Sequence, residues 1–450
     1  MNPEIFREYD LRGVYNKDFD LHDVNTLGRG YGTYLARKGG SNVVVGRDCR
    51  VSSPEVKEAL VSGLCEAGMD VVDIGICPTP LLYYALRRLN PGGGVMITAS
   101  HNPPEYNGFK TCLGHDNIFG QEIQAFRQLV ESRDFAHGSG TLIYREIIDD
   151  YMSYIINNIN ISRPVKVGVD AGNGTGGLVA GPLLTALGCP PQALFFEPDG
   201  AFPNHIADPT VSENMESLAQ LVVREGLELG IGFDGDADRI GVVDEKGRLI
   251  YGDMLMLIFA REILKTNPGA KFVAEVKCSQ NLFNDLIKRG GHPIMWKAGH
   301  SLMKNKLKEE DALLAGEMSG HIFFKHRYFG FDDAIYAACR LLEIVAEKQE
   351  PLSEYLKDLP VMHNTPEIRL PCPDHRKFVL VDLVKAELGK TCELIDVDGL
   401  RVVFPDGWGL LRASNTGPMI VMRFEAETRE RLEEIRALVE GTIHRLEKNL

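Results

Sequence analysis

What most constrains the fold is an alternation. Short runs rich in β-formers, at 42–46, 71–74, 95–98, 165–170, 229–233 and 272–276, recur between longer segments of helical period such as 54–67. This is the rhythm of an α/β protein. Each run ends in a turn containing Gly, Asp or Ser, and in α/β sheets functional groups gather at such carboxyl ends.

At 450 residues the chain is too long for one small core and is expected to be modular. Three candidate joints break the rhythm: His137-Gly-Ser-Gly140, the turn Glu245-Lys-Gly247, and the Pro-rich passage from Pro366 to Pro373. They give four pieces, of which the first three each contain strand–turn–helix units of similar build. The last reads as a smaller α+β piece, with a helix over 376–388, strands over 399–404 and 418–424, and a terminal helix over 428–448.

Charged residues at 25% and hydrophobic ones at 44% match a globular protein and exclude a disordered or fibrous one. The net charge of −14 argues against a general nucleic-acid or anionic-membrane surface, so an anionic ligand must meet a local basic pocket. The longest apolar runs, such as 254–260, fall far short of the ~18 residues that cross a bilayer. The N-terminus has no basic start or apolar core of a signal peptide, so a cytoplasmic protein is expected. Nine cysteines without a Cys-x-x-Cys pair support neither a disulfide framework nor a zinc ribbon and read mostly as buried thiols.

Two loops carry the chemistry. In the first, the strand over 95–98 delivers Ser100 to a turn closed by Pro103 and Pro104, with His101 beside it and Lys110 a short loop away. A hydroxyl flanked by cationic or donor groups suits a nucleophile or phosphate carrier, and the alternative is a Ser-His-Asn turn held by its own hydrogen bonds. In the second, Asp234, Asp236 and Asp238 follow the strand over 229–233. Extended geometry would put the three carboxylates on one side, where they repel unless a hard divalent cation, Mg²⁺ most plausibly, sits among them. An EF-hand fails, because the sixth position is Arg239 where Gly is required and 240–243 reads as a strand. A solvated loop is the alternative, at the cost of three free carboxylates between apolar strands.

Gly172-x-Gly174-x-x-Gly177, with Glu197 twenty residues on, has the spacing of a dinucleotide fingerprint. Its mid-chain place and the Pro198-Asp-Gly200 that follows favour close packing at a strand–helix turn. Gly316-Glu-Met-Ser-Gly-His321 offers a carboxylate and a hydroxyl that can bind neighbouring sugar hydroxyls, or an ordinary polar turn. Leu411-Arg-Ala-Ser-Asn-Thr-Gly-Pro418 reads as a turn with one guanidinium and three small hydrogen-bonding side chains, the composition of a phosphate cradle or of a plain Ser/Asn turn.

In chain order, Thr98-Ala-Ser-His-Asn-Pro103, Asp234-Gly-Asp-Ala-Asp-Arg239, Gly316-Glu-Met-Ser-Gly-His321 and Arg412-Ala-Ser-Asn-Thr-Gly417 resemble the motifs of the α-D-phosphohexomutases. Tyr9-Asp-Leu-Arg-Gly13, Val45-Gly-Arg-Asp48, Phe202-Pro-Asn-His205 and Lys297-Ala-Gly-His-Ser301 are similar to further family signatures. The resemblance spans the chain. It implies an α/β fold of three similar domains and a C-terminal α+β domain around a central cleft: 1–140 with a phosphoserine loop, 141–248 with a metal loop, 249–366 with a sugar loop and 367–450 with a phosphate loop.

The resemblance also implies roles. Ser100 is carried as a phosphoserine and, with Asp234, Asp236 and Asp238, binds Mg²⁺. Lys110 and Arg239 offset charge on the transferring group. His300 is the candidate general base, with Lys110 and His101 as rivals. Tyr9 and Arg12 line the substrate cleft, Glu317, Ser319 and His321 bind the sugar, and Arg412, Ser414, Asn415 and Thr416 hold the phosphate that is not reacting. The activity implied is the interconversion of hexose 1-phosphates and 6-phosphates, with glucose 1,6-bisphosphate or mannose 1,6-bisphosphate as activator, in a monomer with no nucleic-acid or membrane partner. Met318 points to the phosphomannomutase/phosphoglucomutase branch, since the glucosamine branch more often carries Gln there. A phosphoglucosamine mutase is the runner-up, and a non-catalytic sugar-phosphate-binding relative is the alternative of another class.

Overall fold

The structure is a computed structural model that describes residues 1–414 and 417–448. They form two compact units, one of residues 1–259 with 319–355 and one of residues 260–318 with 356–450.

The first unit carries two sheets. In the first sheet the strands Leu11–Val14, Tyr106–Leu113, Gly93–Ile97, Asn42–Arg47, Asp70–Ile76 and Leu142–Tyr144 lie side by side in that order. Asn42–Arg47 runs parallel to both of its neighbours, and Tyr106–Leu113 returns antiparallel to Gly93–Ile97. Lys110 lies within this returning strand, a short loop beyond Ser100 and opposite Met96. The expected joint at 137–140 is also packed in place, with Gly138 N–H on the Glu66 carbonyl and Gly140 N–H on that of Cys65. Leu142–Tyr144 then pairs with Asp70–Ile76, so the first sheet reaches Tyr144, beyond the boundary expected at residue 140.

Helices Leu21–Arg37 and Ser53–Glu66 cross at two glycines. A Cβ on Gly28 would lie 2.3 Å from the Leu60 carbonyl oxygen, and one on Gly63 2.1 Å from that of Asn25. Backbone therefore meets backbone there, and a methyl group at either site would force the helices apart.

In the second sheet the order is Leu249–Ile250, Ile240–Asp244, Leu229–Phe233, Val167–Asp170 and Gln192–Leu194. Leu229–Phe233 runs parallel to Val167–Asp170 and antiparallel to Ile240–Asp244, which makes the Asp234–Arg239 segment the tip of a buried hairpin. Gly174 and Gly177 face backbone: a Cβ on Gly174 would stand 2.6 Å from the Gly235 carbonyl oxygen, and one on Gly177 2.3 Å from that of Phe196. The glycine spacing serves packing under the Asp loop.

In the second unit Lys271–Glu275 runs parallel to His292–Trp296 and Leu314–Gly316. The C-terminal sheet is antiparallel: Glu393–Ile395, Leu400–Phe404, Gly407–Ala413 and Met419–Ala426 follow one another, and Ile368–Pro371 pairs the last of them. Helices Asp374–Leu388 and Arg429–Glu447 bury Leu380, Val384, Ile435 and Val439 in a core shared with Leu411 and Phe424 of that sheet. Arg401 joins the two parts of the unit. It stacks 3.8 Å from the Trp408 ring centroid and donates to the Val276 and Cys278 carbonyls. Among the described residues no helix is long and apolar enough to cross a membrane.

Candidate active site

Ser100 follows the strand Gly93–Ile97 and takes the left-handed backbone, with φ +51°. A non-glycine residue held there stores roughly 1–3 kcal/mol of strain, which the surroundings must impose. Its N–H donates to Thr98 Oγ1 at 2.9 Å, and its hydroxyl is buried, donating to Asp234 Oδ2 at 2.6 Å. The same Oγ lies 3.0 Å from Nδ1 of His101. Burial, and then the cations Arg239 and Arg12, hold the His101 pKa well below its ordinary range, so the ring facing Ser100 is neutral.

The three aspartates converge by a turn and not by extended geometry, and Ala237 between them has φ +55°. Asp234 Oδ1 accepts from the N–H groups of Asp238 and Arg239, at 3.0 and 3.1 Å. Asp236 Oδ2 accepts from Thr79 Oγ1 at 2.6 Å and lies 3.1 Å from Lys110 Nζ, which also bonds Asp238 Oδ2. All three carboxylates are fully buried. Burial, and then the charges of Asp238 and Asp236, push Asp234 far above the carboxylate range. Burial acts most strongly and would raise Asp238, but the charges of Lys110, His321 and Arg239 together hold that carboxyl low.

One oxygen from each aspartate lies within 4.8 Å of the others, and Oδ1 of Asp236 and Oδ1 of Asp238 are buried without a hydrogen bond. Buried carboxylate oxygens without a hydrogen bond suit a hard divalent ion with oxygen ligands.

Arg12 reaches the Ser100 loop, donating to Asn102 Oδ1 at 2.6 Å and to Asp10 Oδ2 at 2.5 Å, while Tyr9 is buried just before it. Arg239 Nε donates to His321 Nε2 at 2.9 Å, and His321 Nδ1 faces the Asp238 carbonyl at 3.2 Å and Asp332 Oδ2 at 3.3 Å. Both ring nitrogens of His321 are thus turned to the Asp loop. Ser319, half-buried, precedes it in the first unit.

The second unit holds the other expected residues. His300 is the buried first residue of helix His300–Glu309. Glu317 is buried and accepts from Gly299 N–H at 2.5 Å. Arg412 sits within the strand Gly407–Ala413, not in a turn, and its Nε donates to Asp398 Oδ2 at 2.8 Å. Ser414 follows it, with its carbonyl on Lys377 Nζ at 2.5 Å. Asn415 and Thr416 lie outside the described residues.

Four family models match the chain in order. They are the phosphoglucomutase/phosphomannomutase alpha/beta/alpha domain I at residues 3–137, domain II at 149–247, domain III at 251–362 and the C-terminal domain at 367–441. The chain belongs to the phosphoglucomutase/phosphomannomutase family.

Among family members, the phosphomannomutase/phosphoglucomutase of Pseudomonas aeruginosa strain PAO1 is 44% identical over 99% of this chain and 96% of its own. A phosphoglucomutase of Neisseria gonorrhoeae is 43% identical over 98% of both chains. A crystal structure of a phosphoglucomutase/phosphomannomutase family protein from Burkholderia thailandensis superimposes with a TM-score of 0.93 at 42% identity, covering 98% of each chain.

Three charged residues that the sequence motifs do not include contact these segments. Glu275 and Lys277 close the strand Lys271–Glu275, where the carboxyl-end rule points directly. Glu275 Oε1 accepts from Met318 N–H at 2.7 Å, within the Gly316–His321 segment, and burial pushes its carboxyl up to about 7 against the nearby Lys277 ammonium. Lys277 Nζ lies 3.5 Å from Glu275 and 3.3 Å from Glu367. Lys377, on helix Asp374–Leu388, places its buried ammonium on the carbonyls of both Ser414 and Gly417, and no motif marks it.

Proposed function

We propose that the chain interconverts hexose 1-phosphate and hexose 6-phosphate, using mannose and glucose substrates, with Ser100 as the phosphate carrier. The observation that carries this reading is the buried Ser100 hydroxyl on Asp234 Oδ2, at the edge of a loop of three desolvated carboxylates. In the first transfer the phosphoserine P–O bond breaks, the free sugar hydroxyl takes the phosphoryl group, and its proton leaves to a base. The bisphosphate turns over, and the other phosphate returns to Ser100, which restores the enzyme and exchanges the position of the phosphate. Glucose 1,6-bisphosphate or mannose 1,6-bisphosphate charges Ser100 at the outset.

Mg²⁺, held by Asp234, Asp236, Asp238 and an oxygen on Ser100, would supply charge neutralisation at the transferring phosphoryl. Lys110 and Arg239 bring fixed positive charge to the same loop. Lys110 is unsuited to be the base, because Asp236 and Asp238 outweigh burial and raise its pKa, so it keeps its proton. His300 is assigned the sugar-side proton, with His101, neutral beside Ser100, as its rival. Tyr9, Arg12, Glu317 and Ser319 are assigned to the sugar phosphate, and Arg412 and Ser414, with Asn415 and Thr416, to the distal phosphate. His321 is reassigned from sugar contact to holding Arg239 and the Asp238 backbone.

The test is a panel of mannose, glucose, glucosamine and N-acetylglucosamine 1-phosphates with Mg²⁺ and a catalytic amount of sugar bisphosphate. Turnover of the first two is expected. Exclusive use of glucosamine 1-phosphate would replace this reading with the runner-up, and binding without turnover of any would replace it with a non-catalytic relative.

A further inference from the structure

Ser100 holds a backbone conformation that its own side chain does not favour, so something must impose it. Arg50 does so. It is a fully buried arginine, and all five of its guanidinium N–H donors are used. NH2 donates to the carbonyls of Ser100 and Asn102, at 2.9 and 2.6 Å, and NH1 to those of Pro103 and Tyr106, at 2.6 and 3.0 Å. Nε is held by Asp48 Oδ2 at 3.1 Å, while Asp48 Oδ1 accepts from the Arg50 N–H and the Ser53 hydroxyl.

One planar fork therefore gathers four carbonyls of the loop from Ser100 to Tyr106. Its face is covered by Phe202, whose ring centroid lies 5.2 Å from the guanidinium carbon. On its other side the Ser100 carbonyl meets the Asp loop, where a Cβ on Gly235 would stand 2.5 Å from that oxygen. The Ser100 peptide is thus pinned between Arg50 and the backbone that carries Asp234 and Asp236. Arg12, through Asn102, leans on the same loop.

We infer that Arg50 is the positioning residue for phosphoryl transfer, fixing the Ser100 backbone so that its Oγ faces Asp234 while never touching substrate itself. Val45-Gly-Arg-Asp48 and Phe202-Pro-Asn-His205, which carry no catalytic group of their own, then act together by holding this guanidinium at its edge and its face. The inference rests on Ser100 being the phosphate carrier.

Arg50→Lys tests it, because an ammonium keeps the charge but has three donors and no planar fork. Mg²⁺-loaded enzyme is mixed with glucose 1,6-bisphosphate under single-turnover conditions, and phosphate on Ser100 is followed by intact mass. In that step a sugar P–O bond breaks, the Ser100 Oγ–P bond forms, and the serine proton passes to the departing sugar oxygen. A displaced nucleophile should slow this step about 100-fold in Arg50→Lys. KM for glucose 1-phosphate should stay within about 3-fold, since no substrate contact is lost. A role in folding alone would instead lower the fraction of competent enzyme and leave the rate constant per competent molecule unchanged.

Should Arg50→Lys fail to fold, Phe202→Leu decides. Losing the ring from one face of the guanidinium should slow phosphorylation about 5- to 10-fold at unchanged KM. A wild-type rate constant in whichever variant folds would overturn the inference alone. Absence of phosphate on wild-type Ser100 would overturn both it and the proposed function.

Discussion

Ser100 Oγ and Asp234 Oδ2 stand 2.6 Å apart although 134 positions separate them in the chain. The contact joins the end of a strand in the first sheet to the tip of a hairpin in the second. It makes the proposed phosphate carrier and the proposed cation-binding loop one site, so each can be perturbed through the other.

A divalent cation taken up by that loop should stabilise the fold. Wild-type protein should gain thermal stability on adding Mg²⁺, by roughly 2.7 kcal/mol at a hundredfold excess over Kd. In Asp236→Asn the Mg²⁺-dependent gain should shrink, because one carboxylate of the proposed site is lost. Calorimetry with EDTA and with Mg²⁺ checks this. Equal gains in both proteins would place the ion elsewhere.

Arg412 should matter for affinity. Its Nε donates to Asp398, and its guanidinium is the charge-assisted donor proposed for the distal phosphate. Arg412→Ala should weaken apparent substrate affinity by ~1.5–3 kcal/mol, about 10- to 150-fold. Steady-state kinetics with glucose 1-phosphate decide it, and unchanged KM and kcat would move the cradle.

Specificity should follow the hydroxyls within reach of Glu317 and Ser319. If these are the 3- and 4-hydroxyls, nothing in the loop reads C2, and kcat/KM for mannose and glucose 1-phosphates should agree within ~100-fold, or ~2.7 kcal/mol. Galactose 1-phosphate should be far poorer, because inverting the 4-hydroxyl leaves a buried polar group unpaired. Glu317→Ala should lower both good substrates and narrow their lead. A galactose rate equal to that of glucose would refute the assignment.

Stability should also depend on pH through His205. Its Nε2 lies 3.1 Å from Asp170 Oδ2 and its Nδ1 2.9 Å from the Ile206 carbonyl, so both nitrogens face acceptors and the ring is best satisfied as the cation. The Asp170 hydrogen bond raises its pKa. The folded state therefore binds the proton more tightly than the unfolded one. This stabilisation is complete below the unfolded value of about 6.5 and is lost as pH rises through the higher folded value. Melting temperatures between pH 5.5 and 9 should fall more in wild type than in His205→Asn, and parallel curves would contradict the assignment.

How much of this is legible in the sequence follows from what periodicity reports. Strands ending at Asp170 and Phe233 lie where the apolar runs put them, and both chemical loops follow strand ends. Two strands are hidden by their glycines. Gly108 and Gly409 lower the β signal, yet a Cβ on Gly108 would stand 2.3 Å from the Leu11 carbonyl oxygen and one on Gly409 2.9 Å from Phe424. The close packing that requires glycine there hides both strands, and in the second it makes Arg412 read as a turn residue. Arg50 leaves no local trace of its role, since its partners lie fifty or more positions away apart from Asp48. Pairs that distant are set by tertiary packing, which a single sequence does not display.

The proposed mechanism stands or falls on Ser100 carrying the phosphate, and peptide mass mapping reads that out at the residue itself. Wild type and Ser100→Ala are incubated with Mg²⁺ and glucose 1,6-bisphosphate, digested and mapped, with mutase turnover measured on the same samples. The mechanism predicts one phosphate on wild type, located at Ser100, none on Ser100→Ala, and loss of nearly all turnover in the variant while hexose phosphate still binds. Phosphate on another residue, or undiminished turnover in Ser100→Ala, would contradict it.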